Sequence, residues 1–259
     1  MNSVLAIANL VIKELQRRKD FYVLFVLTAL ITLILGSADF FGLSKMARYL
    51  KDICLLLIWI SSLVIAIATT ARQIPAEREN RTIFPLLAKP VTRGQVIAGK
   101  FLGCWLACGI TLFVFYLFFT VVSASREPDW QLGPTLKAAW MHWVLLGVLV
   151  AMVLFGSVVF AAPSSNSTIC FIIIVGILGI GRHLHRVALE QPEPINTLLS
   201  VVYFLIPHVE WFYLPDFLVN AQNIAPWSDC LLATLYALAY VALFLYAAWW
   251  RFRRRTLSV

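Results

Sequence analysis

The sequence predicts an all-α integral membrane protein, with six transmembrane helices preceded by an N-terminal amphipathic helix. Three observations carry that reading. Hydrophobic residues make up 61% of the chain against 13% charged, and the mean hydropathy is +0.85, far from globular usage. The apolar residues gather into six stretches able to cross a hydrocarbon layer of ~30 Å. The basic residues cluster beside those stretches in alternate connections, the pattern that fixes topology. Six spans and their connections account for the 259 residues, so 1–259 reads as one membrane domain without a separate soluble catalytic domain. The formal charge of +8 then reads as an orientation signal, not as affinity for nucleic acid.

Within residues 1–19, Val4, Ile7, Ala8, Val11 and Leu15 share one helical face, with Asn9, Lys13, Gln16 and Arg17 mostly opposite. That pattern suits a helix lying in the membrane interface. Arg17 and Arg18, followed by Lys19, precede the first span at 21–41 and anchor it among the headgroups. A signal peptide cut near Gly36-Ser37-Ala38 is the competing reading; the amphipathic stretch upstream of the charges is wrong for its n-region. The remaining spans are expected at 52–71, 96–123, 138–162, 166–184 and 229–250. The fifth has a short apolar run, Thr168 to Gly181, and needs its flanks to cross; Gly176, Gly179 and Gly181 would let neighbours approach closely.

Lysine and arginine set the orientation. With both termini cytoplasmic, Lys13, Arg17, Arg18, Lys19, Arg72, Arg78, Arg81, Lys89, Arg93, Lys100, Arg251, Arg253, Arg254 and Arg255 all fall inside, most of the chain's 21 basic residues. Seven basic residues are left outside, and of these Lys45, Arg48 and Lys51 depart most from the pattern and would snorkel to the outer headgroups. A multi-pass protein of the inner or plasma membrane follows. The fourth and fifth spans are joined inside by the uncharged Pro163 to Ser167. The connection at 185–228 is long and outside; within it Ile195 to Ile206 is apolar but too short to cross, and Pro207 ends it, as in a re-entrant or surface helix. Tyr203, Trp211, Phe212, Tyr213 and Trp227 would form an interfacial belt, the loop serving either as a lid or as a substrate-contacting gate.

Chemistry is sparse. The middles of the spans carry no Asp, Glu, Lys or Arg, which ion-coupled carriers need. Cys54, Cys104, Cys108, Cys170 and Cys230 sit in or beside apolar segments without zinc spacing and read as packing residues; no metal site is expected. His142 reads as structural, and His183, His185 and His208 form only a weak metal signal. There is no H-E-x-x-H and no G-x-S-x-G, so an intramembrane enzyme lacks support. Gly94-Gln-Val-Ile-Ala-Gly99-Lys100-Phe101 imitates a phosphate loop but ends in Phe101, which cannot ligand Mg²⁺, and runs into a span.

The informative segment lies between the second and third spans, 72–95 running on to Lys100. Pro75 fits an early helical position, and Glu77 and Glu79 fall where negative charge suits a helix start. Pro85 should kink or split a helix over 76–88, and Pro90 should end it. Thr92 is positioned to cap the next helix, which carries Val96 and Ile97 across Gly99 into the third span. Two readings stay open: a stiff element bearing Glu77, Arg78, Glu79 and Arg81 that enters a cleft in a soluble protein, or a surface loop touching lipid headgroups.

Residues Glu77 to Lys100 follow the pattern E-x-x-x-x-T-[IL]-x-x-L-L-x-x-P-[VI]-x-R-x-x-[IVL]-x-x-x-K. This resembles the segment between the second and third spans of ABC-2 type exporter permeases. The helix order and loop lengths are similar too, so the resemblance covers essentially the whole chain. In detail it looks most like the subgroup holding the permease for nitrous oxide reductase maturation and the gliding-motility permeases.

The resemblance implies the permease subunit of an ABC exporter, dimerising with a second copy or a paralogue and coupled to separate cytoplasmic ABC ATPase subunits. It implies that Glu77, Glu79, Arg81 and Thr82 face or brace the ATPase, with Arg78 on the same element. It further implies that Pro85, Leu86, Leu87 and Pro90 form the hinge, and that Arg93 and Lys100 anchor it at the headgroups. Pro85 departs from the commoner non-proline residue. No cofactor is then expected on this chain, since ATP and Mg²⁺ belong to the partner. Membrane lipid is the other expected contact, and the substrate is not specified. The alternative is a non-transporting membrane scaffold that recruits a soluble partner.

Overall fold

The computed structural model describes residues 3–17, 19–37, 43–80, 91–126, 132–190, 192–212 and 226–254, and its regular structure there is helical throughout. In chain order the helices are α1 (Ser3–Gln16), α2 (Lys19–Ser37), α3 (Leu43–Ala71), α4 (Pro75–Glu79), α5 (Arg93–Arg126), α6 (Leu132–Val159), α7 (Pro163–Glu190), α8 (Ile195–Leu205) and α9 (Trp227–Arg254), with a 3₁₀ turn at Val209–Phe212 between the last two. Among the described residues α3, α5, α6 and α9 are long and apolar enough to cross a membrane. Shorter apolar runs occupy the other two expected spans, Tyr22–Ile34 within α2 and Pro163–Gly179 within α7.

Several boundaries differ from expectation. Helix α3 starts at Leu43 rather than Asp52, because Lys45, Met46, Ala47, Arg48 and Leu50 favour helix as well as the apolar run does. The expected inner link Pro163–Ser167 is instead the first turn of α7: proline tolerates the first helical position, and the Ser167 hydroxyl donates back to the Pro163 carbonyl at 2.8 Å. The link is therefore only Phe160–Ala162. At 34 residues, α5 is about 51 Å long and exceeds the hydrocarbon thickness.

Helix α6 is the centre of the bundle, buried along most of its length, with α3, α5, α7 and α9 around it. Its contact with α5 is reciprocal. The Trp105 and Trp143 rings stack with centroids 4.5 Å apart; the Trp105 indole donates to the Trp143 carbonyl at 3.0 Å and the Trp143 indole to the Trp105 carbonyl at 3.4 Å. Each indole lies over a glycine one turn on: a Cβ on Gly147 would sit 3.0 Å from Trp105 Nε1, and one on Gly109 would sit 2.5 Å from Trp143 Nε1. His142, one residue before Trp143, gains the partners that a single helix could not reveal. Its Nε2 lies 2.8 Å from the Ser62 hydroxyl of α3 and its Nδ1 3.4 Å from the Tyr116 hydroxyl of α5. Ser62 donates onward to the Trp59 carbonyl at 2.9 Å, so the ring N–H at Nε2 donates to Ser62 and Nδ1 accepts from Tyr116.

The expected face of α1 is buried, with Ile7, Ala8, Val11 and Leu15 inside, but it is applied to α5. Two successive turns of each helix meet: a Cβ on Gly99 would fall 2.8 Å from Ile7 Cβ, and one on Gly103 would fall 2.7 Å from Val11 Cβ. Glycine four residues apart lets the backbones approach, as small residues do between membrane helices. The apolar stripe thus serves a helix partner, not a lipid surface alone.

At the end of the bundle opposite the α4 turn, the α8 connection is fastened to α9. The His208 backbone N–H donates to the Tyr236 hydroxyl at 3.0 Å, and that hydroxyl lies 2.7 Å from His208 Nδ1. Tyr203 and Trp211 pack against the His208 ring, whereas Phe212 is buried in the core, so the expected belt is partly a packing cluster. Trp227 lies under Lys137 at 5.2 Å, and Tyr213 lies outside the described residues.

Gly103→Leu should force α1 off α5 at a cost of about 2 kcal/mol, the usual scale of overpacking. Thermal unfolding in detergent should report a lower midpoint, and limited proteolysis should cut α1 faster. An unchanged midpoint with unchanged protection of α1 would show that this seam does not seat the helix.

Candidate functional site

The site forms where α3 breaks into α4. Proline at position 75 has no N–H, so it cannot donate to the Ala71 carbonyl one turn back and the α3 ladder stops. The chain continues in separate turns, with Ala76 N–H donating to the Arg72 carbonyl at 3.0 Å and Asn80 N–H to the Ala76 carbonyl at 3.0 Å. The carbonyl left over by Pro75 is taken up from another helix. Asn166 of α7, fully buried, donates from Nδ2 to the Ala71 carbonyl at 3.0 Å and lies 3.3 Å from the Val153 carbonyl of α6. One side chain therefore ties α3, α6 and α7 together at the break.

Lys100 of α5 reaches into the same turn. Its side chain is 2% exposed, and its Nζ donates to the Gln73 carbonyl at 3.0 Å, to Gln73 Oε1 at 3.3 Å and to Glu77 Oε1 at 2.7 Å. An ammonium has three N–H donors, and three oxygens meet it. Such complete pairing is what a buried cation requires. Lys100, expected at the headgroups, is instead sealed inside, because Gln73 and Glu77 stand one turn apart on the α3–α4 side and face it together. Glu77 is 25% exposed, so the pair reaches from the interior to the surface. Arg78 is half-buried, while Glu79 and Asn80 are exposed at the tip. Because α4 is only five residues long, Glu79 ends it and does not start it.

The start of α5 is capped as expected. The Gln95 N–H donates to Thr92 Oγ1 at 3.3 Å and the Thr92 N–H donates to Gln95 Oε1 at 2.9 Å, a capping box. Helix α5 then runs unbroken across Gly99. Arg93, also expected at the headgroups, caps another helix: its Nη1 donates to the Phe252 carbonyl at 2.7 Å and the Arg253 carbonyl at 3.1 Å, with the guanidinium 5.5 Å from the Phe252 ring centroid. The last carbonyls of α9 have no intrahelical donors and attract a cation. The basic end therefore gathers the α3 terminus, α4, the α5 start, the α7 start and the α9 terminus.

Of the other expected site residues, Arg17 is exposed after α1. Arg18, Arg81, Thr82, Pro85, Leu86, Leu87 and Pro90 lie outside the described residues. All five cysteines are buried and free, and among the described residues no three His, Cys, Asp or Glu side chains gather as metal ligands. The side chains of His183 and His185 also lie outside the described set.

The family model of the ABC-2 family transporter protein matches residues 5–257, almost the entire chain. The chain belongs to the ABC-2 family. Comparison with curated proteins finds no match. ABC-2 family chains are membrane components of ABC transporters, not themselves catalytic, and normally work with ABC ATPase partners. In this ABC-2 chain the basic end is where a polar, chemically distinctive surface emerges from an apolar bundle.

Sequence reasoning found Glu77, Arg93 and Lys100 but assigned them outward roles, and it missed Gln73 and Asn166. A lysine inside the apolar start of α5, facing a Gln and a Glu one turn apart across the connection, was the available signal for the clamp. Nothing in Ser164-Ser165-Asn166-Ser167 distinguished Asn166. Lys100→Met removes the cation beside partly buried Glu77 and should cost roughly 3 kcal/mol, whereas adding Glu77→Gln should restore a large part of it. A double-mutant cycle in denaturant checks this; strictly additive losses would mean the two residues are not energetically paired.

Proposed function

We propose that this chain is the permease subunit of an ABC exporter, two copies or a copy and a paralogue forming the translocation path, with α4 and the segment 72–100 receiving the motion of separate ATPase subunits. The carrying observation is the Lys100 clamp. Because one buried ammonium binds both Gln73 and Glu77, a push on α4 cannot be absorbed by the turn and must move α3 and α5 together. Arg93 passes the same displacement to α9, and Asn166 passes it to α6 and α7. A connection this tightly fastened suits a lever better than a loop that only rests on headgroups.

On this reading the basic end is cytoplasmic, both termini lie inside the plasma or inner membrane, and ATP and Mg²⁺ act on the partner. The exposed tip, Glu79 and Asn80, is the accessible part of the contact, and Arg78 lies half-buried behind it. The likeness to the nitrous oxide reductase maturation and gliding-motility permeases belongs to the same reading.

The test uses the full chain in proteoliposomes with candidate ABC ATPase subunits from the same organism. Wild type should capture the ATPase and alter its hydrolysis rate. Glu79→Lys should weaken capture about ten-fold, a charge reversal at a contact rim. The Lys100→Met, Glu77→Gln pair should keep capture but lose the effect on hydrolysis. Capture with no effect on hydrolysis in wild type would favour the scaffold alternative, and full coupling in both variants would overturn the lever.

A further inference from the structure

Helix α9 is the least buried of the four long spans. Along it Leu235, Ala239, Ala242, Tyr246, Trp250 and Arg253 recur at steps of three and four, so they fall on one face, and all six are exposed. The face is apolar for most of its length and ends in a cation. That end is built from the last two turns of the helix. The Arg253 guanidinium lies 5.6 Å from the Trp249 ring centroid and the Arg254 guanidinium 3.9 Å from that of Trp250, while the Tyr246 ring packs 5.6 Å from Trp249. A guanidinium over an indole is held by the ring face, an attraction that uses none of its five N–H donors.

Those donors are unanswered. Among the described residues neither the Arg253 nor the Arg254 side chain has a carboxylate or a hydrogen-bond acceptor, and Arg251 adds a third exposed charge in the same turn. From the inner side the helix end is gripped by Arg93, which donates to the Phe252 and Arg253 carbonyls, with Phe252 fully buried. The two Trp–Arg pairs therefore stand on a fixed support and point their free donors away from the bundle.

Charge decides what covers this face. A second copy related by a two-fold axis along the membrane normal would bring α9 against α9 at equal depth, setting Arg253 and Arg254 against their own equivalents, and like charges so placed repel. An amphiphile with an anionic phosphate head and a hydrocarbon tail meets both halves of the surface. Planar guanidinium groups match phosphate oxygens in bidentate pairs, and the tail continues along the apolar face. A zwitterionic choline head would instead bring a cation to three arginines.

We infer that the C-terminal end of α9 is a binding site for an anionic phospholipid, its phosphate held by Arg253 and Arg254 and an acyl chain lying along the exposed face towards Leu235. The assignment depends neither on the ATPase nor on transport.

The experiment places the full chain in nanodiscs of phosphatidylcholine doped with a photoreactive phosphatidylglycerol carrying the crosslinker in its acyl chain, and maps adducts by peptide mass spectrometry. A matched photoreactive phosphatidylcholine is run in parallel. On the stretch from Leu243 to Trp250 the anionic probe should be favoured about five-fold, the factor that one basic residue supplies at a membrane surface. Phe113 and Leu117, exposed on α5, should be labelled equally by the two probes. Arg253→Gln with Arg254→Gln should erase the preference and leave labelling by the neutral probe. Arg253→Lys with Arg254→Lys keeps the charge but loses the planar fork, and should lower the preference to about two-fold. A preference unchanged by the lysine pair would reduce the site to a diffuse surface charge and overturn the assignment. Equal labelling of α9 by both probes in the wild type, or crosslinks from this face to a second copy, would overturn it as well.

Discussion

A charged ammonium buried at the edge of a membrane bundle is tolerable only when every proton on it finds an oxygen, and Lys100 meets that condition with three acceptors from one turn of chain. The rest of the basic end follows from this constraint. Gln73 must stay at the end of α3, Glu77 must stay one turn further, and the break at Pro75 must hold its angle so that both face α5. The same requirement makes the turn rigid. A site that has to satisfy a buried cation cannot also drift, and rigidity is what a force-transmitting connection needs.

The break carries its own requirement. Proline ends the α3 ladder and strands the Ala71 carbonyl, which in an apolar surrounding must be paired within the protein. Asn166 meets it, and in doing so fixes where α7 begins relative to α3 and α6. Arg93 performs the matching task at the α9 terminus. The ends of α3 and α9 are thus tied to α7 and α5 by side chains that answer unpaired backbone groups, so the polar network at this end is a consequence of how the helices stop.

Elsewhere the bundle is held by close approach. The Trp105–Trp143 exchange depends on glycine one turn beyond each ring, since the indole must lie against helix backbone to reach a carbonyl already engaged in the ladder. The α1–α5 seam depends on Gly99 and Gly103 in the same way. Between apolar helices in lipid, where burying hydrocarbon brings little advantage, such fitted contacts and satisfied polar groups give the neighbours their identity.

The residues themselves determined the helical membrane class, the approximate stretches of the long spans, the capped start of α5 at Thr92, and the helix at 195–205 with its stop at Pro207. Each follows from local chemistry: apolar runs, a Thr with a Gln three residues on, prolines without N–H. Periodicity also marked the buried face of α1. It could not say that α5 would cover that face, because an amphipathic stripe records what must be hidden and not what hides it. Lys100 and Arg93 were legible as charges beside a span, yet their inward roles were not. Whether a cation faces headgroups or a carbonyl depends on which chain segment lies opposite, and those partners are separated from it by 27 and 159 positions. Only the tertiary structure decides such pairings, since the oxygen that satisfies a buried donor is chosen by how helices pack and not by their spacing along the chain.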